Sequence, residues 1–243
     1  MKYLWYSFLL LTASNGFAQA KDADLFKVTN GDKKLAPFER KYIQYFETKE
    51  GFVRFNSLLT RTCKPVTGEN GGNWLIIQAY HSGNTIDYDS CICEKSTLRP
   101  IAYNTHIQSD TLREKVTFAD NGIINTILYA DSSISSTKPN VGRYNGVMTD
   151  DIVSCMPLAV GDSFTINVVN PGVRFYEYST TVVVEAKEEI DIAGLGKIPC
   201  WRVRNSIGKN VTIEWYSVKN QIQVKKKFEM KNGNIFYRVL LAG

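Results

Sequence analysis

The chain of 243 residues holds only two histidines, His81 and His106, so it is poor in the side chain that most often moves protons near neutral pH. Ser82 and Ser90 lie close to His81, yet no Gly-x-Ser-x-Gly elbow presents a nucleophile. A glycine-rich phosphate loop is missing, as is any His/Cys set at the spacing of a structural metal site. There is no βαβ alternation, no heptad and no internal repeat, which excludes doubly wound nucleotide folds, coiled coils and solenoids. After Leu11 no apolar run approaches the roughly 20 residues that a spanning helix needs. The sequence therefore predicts no catalytic residue, no metal, no cofactor and no nucleic-acid partner.

What is present begins with a leader. Met1 to Ala20 combine Lys2, an apolar stretch from Tyr3 to Leu11 and the small-x-small ending Ala18-Gln19-Ala20, the pattern of a secretory signal peptide cleaved after Ala20. Lys21 stands where a bacterial lipoprotein would carry its acylated cysteine. The expectation is an exported protein, periplasmic or extracellular, that does not span the membrane after cleavage. The leader holds one basic and no acidic residue, so its loss lowers the formal net charge of +5 by one. The single basic run, Lys225-Lys226-Lys227, reads as a solvated segment guarding an edge strand.

Residues 21–36 read as a polar, flexible lead-in, and 37–243 as a single antiparallel β domain. Closely spaced alternating runs predict strands over 40–48, 51–62, 73–80, 85–89, 97–108, 112–119 and 123–129, with Asp120-Asn121-Gly122 as a type I′ hairpin turn. After a Ser-rich loop over 131–140, strands resume at 163–169, 174–187, 198–205, 211–218, 221–230 and 235–241. One short helix is expected at Asp150–Met156, capped by Thr149 or Asp150 and ended by Pro157. So many twisted strands must curl, split or close. The fold class is all-β: a large curved antiparallel sheet, or half-barrel, wrapped around that helix. Along 174–184, Tyr176, Tyr178, Thr180, Val182 and Val184 form the more apolar face and should point inward. Alternation leaves open whether the interior is a packed core or a ligand cavity.

An ordered set of segments carries a resemblance. Thr97-Leu98-Arg99-Pro100, Asp150-Asp151-Ile152-Val153-Ser154, Pro157-Leu158-Ala159-Val160-Gly161-Asp162-Ser163-Phe164, Val182-Val183-Val184-Glu185, Gly196-Lys197-Ile198-Pro199-Cys200-Trp201-Arg202-Val203 and Glu214-Trp215-Tyr216-Ser217 follow one another. In that order they resemble an exported bacterial family of unknown function over roughly residues 38–243. By analogy of fold the family is similar to the Lol-type periplasmic lipoprotein carriers (LolA and LolB), half-barrels that hold acyl chains around a helix. The resemblance implies a soluble envelope protein binding an apolar or acyl ligand. The alternative is a structural or adaptor protein that meets an envelope partner and binds no small molecule.

Five cysteines, Cys63, Cys91, Cys93, Cys155 and Cys200, are an odd number in an exported chain. Disulfides, including a Cys155–Cys200 bridge from helix to sheet, stand against unpaired thiols and against a metal held by Cys91 and Cys93 with His81 or His106. Asp150-Asp151 and Glu188-Glu189 read as helix-capping and solvated turn positions, since neighbours in sequence do not face each other. Trp201 and Trp215 read as core.

Overall fold

A computed structural model describes residues 21–22, 35–67, 72–108, 112–139, 143–170 and 176–242. The leader and most of the lead-in lie outside them. Among the described residues sixteen strands form one sheet. They are β1 (Lys21–Asp22), β2 (Phe38–Glu47), β3 (Val53–Val66), β4 (Asn73–Ser82), β5 (Thr85–Glu94), β6 (Pro100–Ile107), β7 (Leu112–Ala119), β8 (Gly122–Leu128) and β9 (Ser133–Lys138). After β10 (Tyr144–Asn145) come a 3-10 turn at Gly146–Met148 and helix α1 (Thr149–Cys155), then β11 (Ser163–Asn170), β12 (Tyr176–Ile192), β13 (Gly196–Ile207), β14 (Asn210–Ser217), β15 (Gln223–Glu229) and β16 (Ile235–Leu240).

The order across the sheet is β1-β11-β12-β13-β14-β15-β16-β2-β3-β4-β5-β6-β7-β8-β9, with β10 beside β11. Every neighbour is antiparallel except β1 and β10, which join β11 in parallel. The all-β, curved and unclosed sheet is thus as expected, while its parallel edge is not. A strand of two residues carries too little alternation to be read. The stretch 131–140, expected as loop, contributes β9, whose Ser-rich face is exposed. The hairpin at Asp120-Asn121 forms, but Ala119 pairs with Gly122 and neither loop residue has positive φ, so it is not the type I′ turn expected.

α1 sits against the concave face, which is a packed core. Tyr144 of β10 with Met148, Ile152, Val153 and Cys155 from the turn and helix meet Cys63, Ile76, Cys91, Val168, Val184, Val203 and Tyr216 from strands on both flanks. Thr180, Val182 and Val184 are buried as the alternation predicted, whereas Tyr176 at the strand start is 58% exposed. A second cluster joins Tyr103, Val116, Phe118 and Ile123 of β6–β8 to Val169 of β11. The two ends of the sheet therefore approach each other across the helix. No described helix is long and apolar enough to cross a membrane.

Candidate functional site

Two rows of polar side chains cross the concave face level with α1. Strand register aligns Arg61, Gln78, Asp89 and Thr105 over β3–β6. On the other flank it aligns Gln44, Arg238, Lys226 and Glu214 over β2, β16, β15 and β14. The helix lowers Asp150 and Asp151 between the rows. Arg61, 2% exposed, donates from Nη1 to Asp150 Oδ2 at 3.1 Å and from Nη2 to Asp151 Oδ2 at 2.5 Å. Arg238 reaches Asp150 at 2.8 Å, and Lys226 spans Asp150 at 3.6 Å and Glu214 at 2.9 Å. Burial alone would raise the Asp150 carboxyl, but Lys226, Arg238 and Arg61 outweigh it and hold it well below the usual carboxylate range. For Asp151, burial and the neighbouring Asp150 prevail over Arg61, and its carboxyl is raised.

These positions correct four readings. Asp150 and Asp151 are neither caps nor solvated. The helix N-cap is Met148 with no side-chain cap bond, and Thr149 Oγ1 donates back to Gly146 O instead. Lys226 is not part of an edge-guarding run, because β15 lies between β14 and β16. Its neighbour Lys225 points to the convex face, 5.5 Å from the Trp215 ring and 5.4 Å from that of Tyr237. Trp215 accordingly lies on the convex side, where Nε1 donates to Glu188 Oε1 at 2.5 Å, while Trp201 packs against the core. Glu188 belongs to β12 and not to a turn.

Beside the ion cluster lies a cavity of about 290 Å³ between β4–β6 and the turn that precedes α1. Gln78, Asp89, Asn145, Asn170 and Arg238 supply its polar wall, with the rings of Tyr80 and Tyr103. Gln78 Nε2 donates to Val147 O at 2.9 Å and its Oε1 accepts from Tyr80 OH at 2.7 Å, so this amide is spent on the frame. Tyr103 OH donates to Asp89 Oδ1 at 2.8 Å. Burial raises the Asp89 carboxyl, against the hydroxyls of Thr105 and Tyr103. Asn145 is fully buried; its Oδ1 accepts from Val147 N at 2.9 Å, and its Nδ2 has no partner. Arg238 Nε is likewise unpartnered. Gly146 lies under Asn170, where a Cβ would sit 1.8 Å from Asn170 Oδ1, so a larger residue there would push the Asn170 side chain aside. The sequence reading missed this site because each contributor is common and the contributors come from six strands and a turn.

The five cysteines are all buried free thiols. Cys63 and Cys91 flank Ile76, two strands apart, or roughly 9–10 Å, beyond disulfide reach. Cys155 and Cys200 are not bridged: Cys155 packs in the concave core, while Cys200 alternates with inward Trp201 and Val203 and so faces the other way. By the same alternation His81 and His106 lie on the convex face, away from Cys91 and Cys93. Among the described residues no group of three or more His, Cys, Asp or Glu is placed to hold a metal ion.

The order of the sequence segments can now be set against known proteins. Residues 58–240 match the pattern of DUF3108, described as a protein of unknown function. The chain belongs to the DUF3108 family. The matched span of this DUF3108 protein runs from β3 through β16, so it contains α1, all six cluster charges and every residue named in the cavity wall. No curated protein and no solved structure matches the chain.

Proposed function

We propose that the chain is a non-catalytic binding protein, exported by its leader and released into the envelope space, that holds a small polar ligand in the cavity beside α1. The observation that carries this reading is the polar wall of the cavity, where Asp89, Asn145, Asn170 and Arg238 meet the rings of Tyr80 and Tyr103. The surrounding wall is polar and the rest of the concave face is filled by α1. That filling moves the ligand expectation away from an acyl chain in a wide apolar hollow.

An apolar ligand is the second reading, favoured by one feature. Phe46, Phe236 and Phe228 align across β2, β16 and β15 on the concave side, one pair outward from the charged row, and all three are only half-buried. Protein purified natively from an envelope fraction and extracted into both water and organic solvent tests the two. A stoichiometric polar compound in the aqueous extract supports the first reading; a fatty acid in the organic extract supports the second. Empty extracts, with no rise in melting temperature across a panel of metabolites and fatty acids, would overturn both. Recovery of the chain in the cytosol with its leader attached would overturn the export proposal.

A further inference from the structure

We infer that one end of the sheet docks on a bilayer surface that carries anionic phospholipid. This contact is independent of the cavity beside α1. Three neighbouring hairpins build that end, β13–β14, β15–β16 and β2–β3, which are contiguous across the sheet. The last two touch: Lys49 N donates to Asn234 Oδ1 at 3.3 Å, and Gly233 lies beside the Lys49 side chain. Phe52 and Val53 are each 67% exposed and Phe55 58%, with Ile207 and Val211 exposed on the β13–β14 hairpin. At the opposite end the described residues offer only Ile124, Val160 and Leu195, each on a different part of the chain. Single exposed apolar side chains are ordinary, but a group on adjoining turns marks a contact surface.

Cations stand beside these tips. Lys49 and Arg54 flank Phe52-Val53, Lys209 lies between Ile207 and Val211, Lys231 follows Met230, and Lys227 adds a fifth from β15. The acids of the three hairpins are Glu47, Glu50 and Glu229, so the end is net positive. Among the described residues, only Lys49 and Glu50 of these eight pair with each other, at 3.8 Å and largely exposed. Between the β13–β14 and β15–β16 turns runs an open groove of about 540 Å³, where Lys209, Lys227 and Lys231 stand over Val211, Ile213 and Met230, with Glu229 as the one acid. Ammonium groups over an apolar floor match an anionic headgroup and the start of its acyl chain. This mixture selects the partner. Lysine is depleted in the buried centre of protein–protein interfaces, where it would be left as an unpaired charge. At a bilayer the same side chains lie level with the phosphates while the apolar tips pass below them. Phe52 to Phe55 spans about 10 Å of extended chain, which matches the roughly 5–10 Å that interfacial apolar groups enter. Tips on separate turns need no matching hollows in a fluid surface.

Co-sedimentation of the mature protein with vesicles of phosphatidylethanolamine and phosphatidylglycerol, and with vesicles of phosphatidylcholine alone, tests the contact. The protein should sediment with the first and far less with the second. Phe52→Asp with Val53→Asp should weaken sedimentation roughly tenfold or more. Lys209→Gln, Lys227→Gln and Lys231→Gln together should remove the preference for phosphatidylglycerol. Both variants change exposed or half-exposed positions, and their melting temperatures should stay within a few degrees of wild type. Leu195→Asp, at the other end of the sheet, should bind as wild type does. Equal sedimentation with both lipids overturns the anionic assignment. Equal losses in Leu195→Asp and in the Phe52/Val53 variant place the contact elsewhere and overturn the inference. No sedimentation with either lipid overturns it as well, and a dimer in analytical ultracentrifugation that the Phe52/Val53 variant then abolishes gives these tips to a second copy of the chain.

Discussion

Arg61 is the residue on which the interior turns, because one guanidinium serves two carboxylates from the helix and both lie out of water. Arg61→Ala would leave Asp150 and Asp151 buried with less compensation, and breaking such a pair costs about 3–5 kcal/mol. Urea denaturation should show a loss of that size, and a loss under about 1 kcal/mol would mean that the carboxylates find other partners. Arg61→Lys should recover little, since an ammonium lacks the fork that addresses both acids. Asp150 and Asp89 titrate with opposite signs. Asp150 is held below its unfolded value, so it stabilises the fold above the ordinary carboxylate range, and this contribution is lost as pH falls. Asp89 is raised, so its contribution is present at acid pH and lost as pH rises through its folded value. Melting curves should therefore show Asp150→Asn less stable than wild type at about pH 7, with a flatter acid limb. Asp89→Asn should be more stable at about pH 7 and no different at about pH 3.

At the scale of elements, the pre-helical turn and β15 make the sharpest cases. Gly146→Ala drives a methyl group against the Asn170 side chain, which is exposed and can swing aside, and should cost no more than about 0.5 kcal/mol. Chemical denaturation reads the cost, and calorimetry should show impaired ligand uptake in the same variant. On β15, Lys226→Met should destabilise strongly, and Lys225→Met by only a few tenths of a kcal/mol; equal effects would mean that the strand is turned over. Much of this level was legible. The helix near 150–156, its stop at Pro157, the long antiparallel run and the inward face of 180–184 all follow from local alternation and breaker residues. What alternation cannot express is which strands sit beside each other. A run of three lysines looks like an edge until Glu214 and Asp150 stand across from its middle member. Two adjacent aspartates look like a cap until Arg61, 89 residues away from Asp150 in sequence, arrives beneath them.

The whole molecule offers a test of its sulfur chemistry. All five thiols are buried, and burial together with nearby Asp151 pushes Cys63 and Cys155 up to about 12. Thiols of this kind are inert, because the reactive species is the thiolate. Native protein should resist alkylation at neutral pH, and all five sites should react once the chain is unfolded without reductant. Fewer than five reactive sites in the unfolded state would reveal disulfides. The pairing of β16 with β2 has a further consequence, in time. β2–β9 and β11–β15 are neighbours within their own halves, and β16, last of the strands in chain order, joins the two. A nascent chain cannot close its sheet, or bring Arg238 to Asp150, until β16 has emerged. Early segments thus stay open during synthesis, and the sheet completes only when β16 docks between β15 and β2. A chain ending at Asn234 should reach neither cooperative unfolding nor wild-type resistance to protease.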